Sequence, residues 1–172
     1  MELAALEDDT FLVRLVPARA HQPADRAAVL PDRTRPGTDG SMSKLWALWV
    51  HGLGRWTTGD RQQADWLTRE ALRTGRPLND HWGTAHCLEI LAWIAAAERN
   101  AERAARLLGA AARLWRSTGT SPSELRHLAP AHTLCQQRTR QALGDHTFTV
   151  LFGEGTTLTS EQAIAYALSH ET

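Results

Sequence analysis

The chain has 172 residues, enough for one domain whose core forms without crosslinks. Lysine plus arginine and aspartate plus glutamate number 19 each, so there is no basic field to hold nucleic acid and no acidic tail. The two cysteines, Cys87 and Cys135, lie on apolar helical patterns without a CxxC motif, which assigns them to the core and fits a reducing cytoplasm.

The chain opens with "MELAALEDD", acidic where a signal peptide needs a basic region, so a cytoplasmic protein is expected. The longest apolar run, Cys87 to Ala97, contains Glu89 and falls short of the about 20 residues that cross a bilayer. Lys44 is the single lysine; arginine and alanine dominate instead, which fits a GC-rich bacterial coding sequence. Of the first 42 residues, only residues 3–16 have a pattern for a short helix or strand. Pro17, Pro23, Pro31 and Pro36 follow, and "PDRTRPGTDGS" is a turn-forming run. Residues 1–42 are therefore expected to be an atypical N-terminal segment, poorly ordered from 17 to 42.

From Ser43 to the end the pattern predicts a helical-repeat domain, residues 43–172. "SKLWALWVHGLGRW" is apolar at helical spacing, "TGD" makes a turn, and "RQQADWLTREALRTG" closes on Gly75. A second pair follows: "WGTAHCLEILAWIAAAER", a break at Arg99 and Asn100, and "AERAARLLGAAARLWRSTG", closed by Gly119. A shift of 40 residues relates the pairs, carrying Leu48 onto Leu88, Asp60 onto Asn100, Ala64 onto Ala104, Leu67 onto Leu107 and Ala71 onto Ala111. Small residues at matching places let helix axes approach, and leucines fill the grooves between them. The predicted fold is all-α, an α-solenoid of antiparallel helix pairs with C-terminal capping helices. Those caps are a helix begun by the capping box "SPSE" at Ser121 and running toward Leu143 with an interruption at Pro130, a short helix around residues 145–152, and "AIAYALSH" capped by "TSEQ".

Gly52, Gly59-Asp60, Ala64 and Ala71 resemble the tetratricopeptide pattern, although the second pair has Ala92 and Arg99-Asn100 at the glycine positions and the spacing exceeds the usual ~34 residues. A more specific resemblance rests on Trp46 to Asp60, on "ERAARLLGAA" at Glu102 to Ala111, on "RQALGDHTFTVLFGEG" and on "LTSEQAIAYAL". Together these are similar to the C-terminal helical-repeat region of large actinobacterial signalling ATPases, including LuxR-type transcriptional regulators. The resemblance implies a regulatory role: a repeat surface that senses a protein partner or small-molecule effector and holds the state of a larger regulator. In that family an ATPase module precedes the repeats and a helix-turn-helix often follows. This chain has no GxxxxGK[ST] loop and ends before the DNA-binding helices would begin, so neither ATP hydrolysis nor direct DNA binding carries over. The expectation is a fragment of such a regulator, the alternative a free-standing adaptor or sensor.

The candidate binding residues form a stripe. Trp46, Trp49, Leu53 and Trp56 share one helix side, and their equivalents in the second pair begin His86, Glu89 and Trp93. By the tetratricopeptide register this side is concave, an aromatic groove with one carboxylate and one imidazole. The competing reading is packing of these tryptophans against helices missing from this fragment or against the N-terminal 40 residues. No cofactor is expected. His81, His86 and Cys87, and likewise His127, His132 and Cys135, lack zinc-site spacing. Gly52 and Gly54 are expected at close helix contacts, because no strand precedes "HGLGRW". Arg99, Arg103, Arg106 and Arg113, interleaved with Glu98 and Glu102, look like a solvated helix face. No ordered nucleophile motif accompanies the serines and histidines, so enzyme chemistry is not expected.

Overall fold

A computed structural model describes residues 38–169. They form the helices α1 (Thr38–Thr57), α2 (Arg61–Gly75), α3 (His81–Ala97), α4 (Ala101–Thr118), α5 (Ala129–Leu143), α6 (Asp145–Thr157) and α7 (Ser160–Leu168), with 3-10 turns at Arg76–Leu78 and Pro122–Glu124. No strand occurs among the described residues, and no helix there is long and apolar enough to cross a membrane. The expectations for residues 1–37, a short helix or strand at 3–16 and poor order from 17, lie outside the described residues. Residues 38–42 are helical, so α1 already includes the five residues before Ser43; a further turn is readily added once an apolar face anchors the rest.

Two helical hairpins, α1–α2 and α3–α4, share one turn. Asp60 Oδ1 accepts from the Gln63 amide at 3.2 Å, and Asn100 Oδ1 from the Arg103 amide at 3.1 Å. The Asp60 amide donates to Arg55 O at 3.0 Å, and the Asn100 amide to Ala95 O at 2.9 Å. Each turn has a left-handed residue, Gly59 at φ 85° in the first and Arg99 at φ 60° in the second. A Cβ in that region crowds the backbone, and glycine avoids the cost. Arg99→Gly should therefore raise stability by about 0.5–1 kcal/mol, read from the denaturant midpoint, while Gly59→Ala should lower it. Gly59 has open space around it, so that loss isolates the backbone term. A midpoint unmoved or lowered by Arg99→Gly would show that Arg99 bears no strain.

The small residues lie where axes must close. Ala64, Ala71, Ala104 and Ala111 are fully buried, as is Leu107. A Cβ on Gly52 would come within 2.8 Å of Thr68 Oγ1, whereas Gly54 is exposed with nothing within 4 Å. The close contact expected of Gly54 is therefore absent. Its helix turns it outward, about 200° from Gly52.

Helix α3 is the axis of the fold. It packs on α1, α2, α4, α5 and α7, and every residue from Gly83 to Ala95 is buried. A helix apolar on all sides is stable only when surrounded, which is what its alanine-rich sequence provides for.

The C-terminal segment departs from the expected single helix after Ser121. Ser121 does accept from the Ser123 amide, and Glu124 accepts from the Ser121 amide at 3.2 Å. That cap opens only a 3-10 turn, and α5 begins afresh at Ala129 with Pro130 in its first turn. Proline lacks the N–H that a continuing helix requires, but that donor is unused in a first turn. Helix α6 runs to Thr157, five residues beyond expectation, and α7 carries the Thr159–Gln162 capping box.

Candidate functional site

Helices α1, α3 and α4 and the turn before α5 converge on the His86 imidazole. Its ring centroid lies 4.8 Å from Trp115, 4.9 Å from Trp49, 5.0 Å from Trp82 and 5.2 Å from Trp46. His127 stacks on it at 5.7 Å with an interplanar angle of 12°. His86 Nδ1 lies 2.9 Å from Trp82 O. A carbonyl only accepts, so Nδ1 carries the proton and Nε2 presents the lone pair. Burial pushes the His86 pKa down to about 4; the Trp82 carbonyl opposes this and His127 adds to it. His127 is exposed at the rim, yet partial burial of its ring also holds its pKa below the usual value.

Glu89, three residues on, is fully buried. Its Oε1 accepts from Trp115 Nε1 at 3.2 Å and its Oε2 faces His132 Nδ1 at 2.9 Å. Burial opposes protonation of His132, but the hydrogen bond and charge of Glu89 outweigh it and leave its pKa raised. Cys135, one turn beyond His132, is buried and donates to Ala92 O at 3.6 Å. Burial raises both Cys87 and Cys135, so neither is a ready nucleophile.

The stripe therefore divides. Trp46, Trp49 and His86 do meet in one cluster. Trp56 and Trp93 pair with each other at 6.1 Å, both at 0% exposure, and Glu89 points into the interior, so these three do not line an open groove. Helices α5 and α7 cover α3, and packing describes their placement. Leu53 is half-buried at the edge of the core. Trp46, Trp82 and His127 keep exposed surface. Trp82, Trp115, His127 and His132 were absent from the expected site; the i, i+4 spacing of Trp82 and His86 was the one local signal for any of them. His81 faces Ser117 Oγ at 3.1 Å, and no group of three His, Cys, Asp or Glu among the described residues is placed to hold a metal.

The arginine stripe is also corrected. Arg103 is 7% exposed and donates to the carbonyls of Tyr166, Ala167 and Ser169 at 2.9–3.1 Å, with Arg69 reaching Ala167 O at 2.8 Å. These carbonyls lie at the C-terminal end of α7 and its cap, where carbonyls run short of helical N–H donors, so the two guanidinium groups anchor it. Arg106 pairs with Glu154, and Arg113 reaches Thr156 O on α6.

The His86 environment gives a pH signature. A neutral imidazole buried with a pKa near 4 stabilises the fold above the unfolded value of about 6.5, and that contribution fades as pH falls from there toward 4. The loss should reach roughly 3 kcal/mol. His132 acts oppositely: its contribution is complete below about pH 6.5 and is lost as pH rises through its raised value. Subtracting the unfolding free energy of His86→Phe from that of the wild type at each pH should isolate the acid-side slope. A flat difference would assign that slope to another group.

No family model, no curated protein and no solved structure matches the chain.

Proposed function

We propose that this chain is a tetratricopeptide-like α-solenoid segment, the regulatory repeat module of a LuxR-type or related signalling ATPase, recognising a protein partner or an effector at the Trp46–Trp82–His127 rim. The observation that carries the reading is the pair of hairpins related by 40 residues, with matching N-caps at Asp60 and Asn100 and a left-handed residue at the same place in each turn. A stacked pair of such units presents a continuous face, and an aromatic rim on that face suits an apolar or cationic group. The balanced charge favours such a ligand over nucleic acid, and two buried, unpaired cysteines suit the cytoplasm.

Two measurements test it. Translation of the genomic DNA on either side of the reading frame should reveal a phosphate-binding loop upstream and a helix-turn-helix downstream; finding neither overturns the assignment to a regulator and favours the free-standing adaptor or sensor. Tryptophan fluorescence should saturate with an effector or with the adjoining module, and Trp46→Ala/Trp82→Ala should abolish that response while helicity stays intact. A saturable response unchanged in the double variant would remove the rim as the site.

A further inference from the structure

The cluster around His86 keeps one acceptor and one donor without partners. His86 Nδ1 donates to the Trp82 carbonyl, and among the described residues nothing bonds to Nε2, the acceptor in that tautomer. The Trp49 indole stands beside it, with 4.9 Å between ring centroids and an interplanar angle of 89°. Its Nε1–H is buried and has no hydrogen-bond partner. His86 is 2% exposed and Trp49 6%, so bulk water does little for either group. Buried polar groups are rarely left in this condition, because each forfeits the hydrogen bond it had in water. A neighbouring ring face is only a weak substitute. Trp56 and Trp93 also have buried, unpartnered Nε1–H groups, but they pair with each other in the interior. Trp49 instead touches Trp46 and His127, which keep exposed surface.

The chemistry of the pair narrows what fits. A hydroxyl is the smallest group that donates and accepts at once, so one O–H can donate to His86 Nε2 and accept from Trp49 Nε1. A carboxylate or ammonium group would be buried there without a counter-charge, since the Glu89 carboxylate is engaged by Trp115 and His132. The surroundings are rings: Trp46 lies 5.6 Å from Trp49, Trp82 lies 5.0 Å from His86, and His127 stacks on His86. His127 is exposed on the turn before α5, and exposed side chains change rotamer within nanoseconds.

We propose that the rim takes a neutral ligand with an apolar body and a terminal hydroxyl, the body against Trp46 and Trp82 and the hydroxyl bridging His86 Nε2 and Trp49 Nε1 once His127 has turned outward. The inference rests on recognition at this rim, as proposed above, and selects an apolar ligand over a cationic one.

Phenol and toluene, which exchange a hydroxyl for a methyl group, are the probes. In spectra of the full chain labelled with nitrogen-15, the Trp49 indole signal, assigned by its loss in Trp49→Phe, should shift saturably with phenol. Toluene should bind at least about tenfold more weakly, because its methyl group leaves both polar groups unpaired. In His86→Phe the two probes should bind alike. Equal affinities of phenol and toluene for the wild type overturn the proposal. So does a Trp49 signal that phenol leaves in place at every concentration that preserves helicity; a cross-peak from that signal to a long-lived water would then assign the pair to ordered water only. Should His86→Phe fail to fold, the comparison on the wild type decides alone. Loss of the phenol preference leaves recognition at the rim standing if the fluorescence response to the adjoining module persists and depends on Trp46 and Trp82. A preference for phenol without any such response keeps the hydroxyl site and removes its regulatory role.

Discussion

Glu89→Ala should lower stability by about 3–5 kcal/mol, the range for breaking a buried ionic pair by removing one partner. The carboxylate is at 0% exposure and serves two groups on different helices, Trp115 Nε1 of α4 and His132 Nδ1 of α5. Alanine leaves an indole N–H and an imidazole facing a void, so both desolvation costs remain while the compensation is gone. Glu89→Gln keeps an acceptor for one of the two and should cost less, about 1–2 kcal/mol. Denaturant unfolding of Glu89→Ala, His132→Ala and the double variant completes a cycle, and the two losses should be strongly non-additive. A cost for Glu89→Ala below about 1 kcal/mol would mean that water enters and substitutes for the carboxylate.

That residue also shows where sequence reading reached its limit. The hairpin turns, the Asp60 and Asn100 N-caps and the Thr159–Gln162 cap were legible because each depends on residues a few positions apart, whereas several helix ends were not: Gly75 stays in α2 with Arg76 as its cap, α5 begins only at Ala129, and α6 runs on to Thr157. Helix α3 is apolar on all sides, yet the sequence reading opened the side carrying His86, Glu89 and Trp93 as a groove, and in the structure every residue from Gly83 to Ala95 is buried. Glu89 occupies a position that the expected tetratricopeptide register assigned to a concave side, and nothing within its own hairpin reveals that α5 will close over it. His132, which meets it, lies 43 residues away. Arg103 failed for the same reason. Its spacing among glutamates is that of a solvated face, and its true partners, the carbonyls ending α7, lie more than 60 residues later. His127 sits in a turn without periodicity, so no pattern could place it over His86. Of the expected aromatic stripe, the members facing α3 near its N-terminal half, Trp46 and Trp49, joined the cluster, and the deeper Trp56 became core.

Gly109→Ala and Gly155→Ala should each destabilise the fold by about 3 kcal/mol, at the upper end for an added methyl group. The reason is that the obstacle is backbone. A Cβ on Gly109 of α4 would overlap the Phe152 carbonyl oxygen, and one on Gly155 of α6 would overlap the Arg106 carbonyl oxygen. A flexible side chain could rotate aside, but two helical backbones can only separate, and their separation would strip packing from Phe148, Leu151 and the α4 alanines together. The exposed pairs Arg106–Glu154 and Arg113–Thr156 span the same contact and should contribute little to resisting it. Because either methyl group forces the same separation, the double variant should cost clearly less than the sum of the singles, a coupling that independent sites do not show. Gly153→Ala is the control: it lies on the same helix with nothing within 4 Å of its Cβ position, and alanine there should be neutral or stabilising by up to about 1 kcal/mol. Thermal and denaturant midpoints of the four proteins decide the matter, and losses under about 1 kcal/mol at both Gly109 and Gly155 would show that α4 and α6 do not touch backbone to backbone.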